Sequence, residues 1–321
     1  MSIAPISSVT DTSILERRAS PSGRLSDFFW RKPKIFLLLM LTPPLLWLGI
    51  IYLGSLLALL LQSFFSIDDF SGLINYEFTL ATYKQLLIPS NFDIILRTVV
   101  MAVLVTLASA VIAFPIAYYA ARYARGKWKV IFYLGVMLPL WSSYLVKIYA
   151  WKLILAKEGI VTWALAKLNL LWVLDAWLAL PVVGGTSLSI SYTGTFIVFI
   201  YVWMPFMILP IQAALERVQG NLIEASADLG GRPAQTFRYV LFPLALPGII
   251  AGSIFTFSLT LGDYIIPQII GSSRLFIGQA VYAQQGTAGN IPLAAAFTVV
   301  PIVIMGLYLW MAKRQGAFDA L

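Results

Sequence analysis

Asp263 is the acidic residue whose position most suggests a functional role. It lies in the stretch Leu261-Gly-Asp-Tyr-Ile-Ile-Pro267 and is the only acid predicted within an apolar span. An ionisable side chain at membrane depth is costly and usually marks a functional site, and a carboxylate there would attract a cationic solute. The alternatives are structural: Asp263 caps a helix, binds Arg274 or contacts another protein. Tyr264 and Trp203 are weaker candidates for a solute pathway, because aromatic residues in spans more often serve packing.

A second group of polar and aromatic residues crowds residues 138–151. Polar side chains at membrane depth normally face the protein interior or a wet cavity, so this group could line a solute pathway. Trp141, Tyr144 and Trp151 fit interfacial anchors equally well. The pathway candidates in this stretch are Trp141, Ser142, Ser143, Lys147 and Tyr149.

The composition excludes most enzyme chemistry. The chain has no His and no Cys, which removes the commonest general base, the commonest transition-metal ligand and any thiolate site. No G-x-x-x-x-G-K-[ST] motif is present, so the chain should not hydrolyse ATP. We expect no catalytic residue, no metal and no cofactor. The basic residues lie in loops rather than on one face, so nucleic acid is not expected as a partner.

Six apolar runs predict an all-α membrane protein. The chain is 60% hydrophobic and 11% charged, whereas a soluble domain is about a quarter charged. A spanning helix needs about 20 apolar residues. Several of the runs contain prolines, which predict kinks. The runs are residues 35–65, 94–121, 130–150, 193–215, 244–267 and 291–312.

The basic residues predict that both termini are cytoplasmic. Residues 1–34 form a basic, Ser-rich tail with six Lys and Arg; the loop at 122–129 has four, the loop at 216–243 three and the C-terminal end two, which makes 15 of the 22. Positive charge concentrates on the cytoplasmic side of membrane proteins. Residues 151–192 are predicted to carry a short helix in the outer interface, with an irregular stretch at 178–190; a re-entrant segment is the alternative.

The polar segment 216–243 contains sequence signals for two helices, so it is not predicted to be a short connecting loop. Residues 222–229 favour a helix, and Gly230 with Gly231 would end it. Pro233 suits the first turn of a second helix, which Pro243 is predicted to end. The segment therefore predicts two helices joined by a glycine corner.

This segment resembles the coupling loop of ABC importer permeases, which docks on the ATPase subunit. The family pattern is Glu-Ala-Ala, three residues, Gly, nine residues, then an aliphatic residue, any residue, Leu and Pro. Here Ser226 replaces the second Ala and Phe242 the Leu. The resemblance implies a six-span permease domain at residues 35–321 with the type I importer fold. The residues it assigns to ATPase coupling are Glu224, Ala225, Ser226, Asp228, Leu229, Gly230 and Pro243.

The stretches 138–160 and 247–253 look similar to the spermidine and putrescine permeases. The resemblance implies a subunit of the bacterial inner membrane that moves a small solute, with a polyamine favoured. It also implies the partners: a second permease of different sequence, a dimer of ABC ATPases and an extracytoplasmic solute-binding protein. The alternative function is a secondary transporter driven by an ion gradient, although such chains more often show an internal repeat.

Overall fold

The computed structural model describes residues 30–68 and 70–314, so residues 1–29 of the predicted tail lie outside the described residues. The chain separates into two units divided between Leu59 and Leu60. Helix α1, Pro33–Gln62, is long and apolar enough to span a membrane. It contains Pro43 and Pro44 and changes to π-helical geometry at Trp47–Leu53. Proline removes helical hydrogen bonds, and a wider turn beside it adapts the helix to that loss.

A small hairpin and a short helix follow α1. Strands β1, Ser66–Ile67, and β2, Ile74–Asn75, pair antiparallel, with Ser66 opposite Asn75. Helix α2, Ala81–Leu86, is joined to the start of this segment by a hydrogen bond of 2.6 Å between the Ser63 and Tyr83 hydroxyls.

The core lies between three long helices. Helices α3, Pro89–Arg122, α8, Tyr192–Arg217, and α10, Pro233–Gly262, each pack against the other two. Small residues permit the close approach of α8 and α10. A Cβ on Gly248 would lie 2.5 Å from the Pro210 carbonyl oxygen, and one on Gly252 would lie 2.9 Å from the Met207 sulfur. Glycines four residues apart are a typical packing device of spanning helices.

The third predicted span is broken. Helices α4, Lys127–Trp141, and α5, Tyr144–Ile154, meet at 97°, so a single helix over residues 130–150 was a wrong prediction. Ser142 has extended backbone. The Lys147 ammonium crosses the break and donates to the Pro139 carbonyl oxygen at 2.6 Å. This contact satisfies a carbonyl group that lost its helical partner.

The loop after α5 contains two short helices, α6 at Ile160–Lys167 and α7 at Leu171–Leu178, where we predicted one. The stretch 178–190 is irregular apart from a 3₁₀ turn at Leu188–Ile190, which confirms that prediction.

The second helix of the 216–243 segment does not end at Pro243. It continues as α10 through a π-helical turn at Phe237–Leu241. The Phe242 N–H donates to the Phe237 carbonyl, five residues earlier. Pro243 has no N–H to donate to the preceding turn, and the wider π-helical turn before it accommodates that loss.

Helix α10 stops at Gly262 rather than at residue 267. Short helices α11, Ile265–Ile269, and α12, Ile277–Gly286, precede the last long helix, α13, Ile291–Arg314. Among the described residues, five helices have the length and composition to cross a membrane, and the bent pair makes a sixth.

Candidate functional site

A corner at Gly230 shapes the 216–243 segment. Helix α9, Gly220–Asp228, precedes it, and α10 begins at Pro233. Gly230 has φ +77°, a conformation that other residues adopt at a cost. Its N–H donates to the Ala227 carbonyl at 2.8 Å, and the Gly231 N–H donates to the Ser226 carbonyl at 2.8 Å. The corner is the glycine helix end predicted from the sequence.

Ser226 joins the two helices of this element. Its hydroxyl lies 2.9 Å from the Thr236 hydroxyl, so one donates to the other across the corner. A Cβ on Gly231 would lie 2.6 Å from the Ser226 carbonyl oxygen. The corner therefore requires small residues on both sides.

The outer surface of the element is open. Glu224, Ala225, Asp228 and Leu229 are exposed, Leu229 by 90%. Within residues 30–68 and 70–314, neither Glu224 nor Asp228 forms an ion pair. A groove of 480 Å³ runs between the helices and is lined by Leu222, Ala225, Ser226, Leu229, Gly230, Gly231, Gln235, Tyr239 and Val240. The element offers an acidic edge and an apolar groove to another protein.

Polar contacts hold the start of this element against the neighbouring spans. Glu216, at the end of α8, accepts from Lys129 at 2.8 Å and from the Tyr133 hydroxyl at 3.1 Å, both on α4. The Arg122 guanidinium, at the end of α3, donates to the Val218 carbonyl at 2.7 Å. Ile223 on α9 packs against the buried cluster between these helices. The element is thus connected to three spans.

A second cluster lies at the opposite end of the spans. The Tyr144 hydroxyl donates to the Asp263 carboxylate, and its ring stacks on Trp203 with centroids 5.8 Å apart. The other oxygen of Asp263 accepts from the N–H groups of Ile265 at 2.7 Å and Ile266 at 3.2 Å. The carboxylate therefore caps α11, as one of the structural alternatives predicted.

Three hydrogen bonds, from Tyr144, Ile265 and Ile266, hold the partly buried Asp263 carboxylate in this cluster. The Trp203 indole nitrogen is buried and has no hydrogen-bond partner among the described residues. The cluster thus presents a carboxylate, two aromatic faces and an unused N–H.

The remaining pathway candidates are not gathered into this cluster. Tyr264 follows Asp263 but stacks on Tyr282, with centroids 5.3 Å apart. Lys147 is committed to the Pro139 carbonyl. The other four, Trp141, Ser142, Ser143 and Tyr149, are exposed at or near the break between α4 and α5.

Two contacts that organise these sites were not predicted from the sequence. Glu216 was noted only as the first residue of the loop. It is an acid in the last turn of a span, and the neighbouring loop 122–129 is basic, so an ion pair between them could have been suspected. Tyr144 was absent from the pathway candidates, and no local signal distinguished it from an interfacial anchor. Among the described residues, no three acidic side chains come together as metal ligands.

The chain is similar in sequence to a known protein family and to individual transport proteins. Residues 98–316 match the family described as "Binding-protein-dependent transport system inner membrane component". The chain is 58% identical over 310 residues to the inner membrane ABC transporter permease protein YdcU of Escherichia coli strain K12, covering 96% of this chain and 99% of that protein. It is 29% identical over 274 residues to the spermidine/putrescine transport system permease protein PotB of the same strain, covering 84% and 94%.

Solved structures share the fold. A chain from the crystal structure of a bacterial ABC transporter involved in the import of the acidic polysaccharide alginate superposes with a TM-score of 0.64 at 16% identity, covering 91% of this chain and 99% of that chain. A chain from the alginate transporter in complex with an alginate pentasaccharide-bound periplasmic protein gives the same TM-score at 14% identity, covering 91% and 97%. These matches confirm the predicted class, an all-α permease fold.

Proposed function

Because this chain belongs to the family of binding-protein-dependent transport system inner membrane components, we propose that it forms the membrane pathway of an ATP-driven importer for a polyamine such as putrescine or spermidine. Its permease class and its multi-pass location in the inner membrane are those of its relatives. Beyond the permease class and the location, we propose the contact with an ATPase, the partner proteins and the solute.

The observation that carries the proposal is the open element at 216–243. It has an exposed groove, the exposed acids Glu224 and Asp228, and a base joined to α3 and α4 through Arg122 and Glu216. A helix held this way moves as a rigid body with the spans. ATP binding on a separate ATPase dimer would therefore move the element, and the element would move the spans.

The remaining partners are a second permease of different sequence and an extracytoplasmic solute-binding protein. Support for the binding protein comes from the family description and from the alginate transporter, whose structure includes a periplasmic protein. The solute-binding protein would deliver solute to the end of the spans that holds Asp263. The described helices give no specific observation in favour of an ion-gradient-driven carrier.

The polyamine assignment has two supports. The PotB proteins, which align with 84% of this chain, are spermidine/putrescine permeases. In addition, Asp263 lies beside the stacked rings of Tyr144 and Trp203. A carboxylate attracts ammonium groups, and an aromatic face binds them through its quadrupole. Such a cluster suits a cationic solute better than a neutral or anionic one.

The ATPase contact is tested by co-purification from membranes in mild detergent. Gly230→Pro should lose the ATPase, because proline fixes φ near −65° whereas Gly230 needs +77°. Gly220→Ala is the matched control in the same element, since its added Cβ meets nothing within 4 Å. Retention of the ATPase by Gly230→Pro, or its absence from the wild-type complex, would contradict the coupling role.

The solute is tested by uptake of labelled putrescine and spermidine into cells that lack their other polyamine importers. Cells expressing the complete system should accumulate label, and deletion of this chain should abolish uptake. An excess of unlabelled polyamine should compete, whereas a neutral sugar should not. Uptake that does not depend on this chain, with the ATPase still bound, would reject the polyamine and leave the importer assignment in place.

A further inference from the structure

A groove of 630 Å³ lies at the end of the spans opposite the 216–243 element. It is formed by the first turns of α3 and α8 together with parts of the loops near residues 177–183 and 274. Its wall on α3 consists of Leu96, Val100 and Leu104, which are spaced four residues apart and therefore lie on one face. Phe196 and Ile197 of α8 face them across the groove.

The wall of this groove is apolar and exposed along a helix with the length and composition of a membrane span. Leu96, Val100 and Leu104 are each about half exposed, at 51%, 46% and 50%, and they belong to a helix long and apolar enough to span. Lipid is the solvent for exposed side chains at this depth. Whatever fills the groove must therefore be apolar along most of its length.

The polar end of the groove carries two arginines, Arg97 and Arg274. Arg97 is paired with Asp93 and also donates to the Leu275 carbonyl at 3.0 Å. Arg274 is exposed at the same end and forms no ion pair with any residue in the described ranges 30–68 and 70–314. A guanidinium at the membrane interface is a good donor to phosphate, which it can bind through two hydrogen bonds.

The rim of the groove contains a strained residue. Val182 has φ +82° and is 63% exposed. A β-branched residue in this region is a genuine outlier, and such strain tends to occur at binding sites. Nearby, the Trp177 indole donates to the Thr193 hydroxyl at 2.9 Å, which holds the loop over the start of α8.

We infer that this groove binds an anionic phospholipid. One acyl chain lies along Leu96, Val100 and Leu104, and the phosphate contacts Arg274. Anionic lipid matches both the apolar wall and the exposed guanidinium of Arg274, whereas a zwitterionic lipid would add a second positive charge near it.

The size of the groove argues against a helix from another protein as its occupant. From Leu96 to Leu104 the wall is about 12 Å long, and a helix with side chains is about 10 Å across. A helical segment of that length fills roughly 900 Å³, more than the 630 Å³ available. A single acyl chain is much thinner.

Native mass spectrometry of the purified importer, reconstituted with phosphatidylglycerol or phosphatidylcholine, tests the inference. Arg274→Gln should reduce retained phosphatidylglycerol about fivefold, the factor expected for one basic residue near anionic lipid, and leave phosphatidylcholine unchanged. Lys84→Gln, an exposed cation of α2 outside the groove, is the control. Equal retention of phosphatidylglycerol by Arg274→Gln and wild type would overturn the phosphate contact.

Two further variants test the acyl chain. Leu104→Trp should fill the groove and reduce retained lipid, whereas Val111→Trp, on the same helix but 73% exposed outside the groove, should not. A photoreactive residue at Val100 should cross-link to lipid in native membranes. A cross-link to another protein chain instead, or unchanged lipid retention in Leu104→Trp, would overturn the inference.

Discussion

Glu216 and Lys129 form an ion pair of 2.8 Å that joins the end of α8 to the start of α4. The two residues are far apart in sequence, yet this contact lies at the base of the 216–243 element. Since α4 leads directly to the break at Ser142, the ion pair connects that element with the bent span. Beyond the break, α5 begins at Tyr144, whose hydroxyl contacts Asp263.

Charge reversal at this ion pair should reduce the coupling of ATP hydrolysis to solute uptake more than it reduces the stability of the folded protein. Both side chains are partly exposed, Lys129 at 41% and Glu216 at 30%, and an exposed ion pair contributes little to the free energy of unfolding. Glu216→Lys places like charges together at the base of the element, so we expect solute uptake per ATP hydrolysed to fall severalfold. The measurement is uptake and ATPase activity of the reconstituted importer.

The double variant Glu216→Lys with Lys129→Glu restores opposite charges and should recover part of the lost uptake. If the double variant is as defective as Glu216→Lys alone, the ion pair is not the relevant contact. Glu158→Lys, an exposed acid outside the element, controls for a general effect of charge.

Gly248→Ala should destabilise the packing of α8 and α10. The new Cβ would lie 2.5 Å from the Pro210 carbonyl oxygen and 2.6 Å from the Ala214 Cβ. Overpacking of this kind costs about 1–3 kcal/mol, measured as a lower midpoint in denaturant titration of the detergent-solubilised protein. Gly306→Ala meets nothing within 4 Å and should be neutral or slightly stabilising, because alanine favours helix. Equal effects of the two substitutions would show that close packing at Gly248 is unimportant.

Tyr144→Phe should weaken solute uptake while it preserves the stacked ring on Trp203. The substitution removes the hydroxyl that donates to Asp263. Without this hydrogen bond the Asp263 carboxylate loses one of the contacts that position it, so the putrescine concentration for half-maximal uptake should rise severalfold. Tyr149→Phe, on the exposed side of the same helix, should have no effect. A wild-type concentration dependence in Tyr144→Phe would exclude this contact from solute handling.

Cysteine labelling should place the 216–243 element in the cytoplasm. The chain contains no Cys, so a single substitution reports one position. In intact inner-membrane spheroplasts, an impermeant maleimide should label Asp175→Cys, which is exposed on α7, but should not label Asp228→Cys, which is exposed on α9. Asp228→Cys should react after permeabilisation. The reverse pattern would show that the predicted orientation is inverted.

Local sequence was sufficient for the features that depend on local physics. Apolar runs of about 20 residues indicate spans because the bilayer sets their length, and all six predicted runs coincide with long helices or with the bent pair. Gly230 was predicted to end a helix because only glycine adopts positive φ at little cost, and its φ is +77°. The family resemblance relied on this same stretch.

Side-chain contacts and departures from regular helix geometry could not be predicted in this way. The broken third span depends on Lys147 reaching the Pro139 carbonyl, and the continuation of α10 past Pro243 depends on a π-helical turn. Tyr144 and Asp263 are 119 residues apart in sequence. A hydropathy pattern records how apolar each residue is, but the position of a hydroxyl or an ammonium group depends on how the helices pack, and that packing decides which polar groups meet.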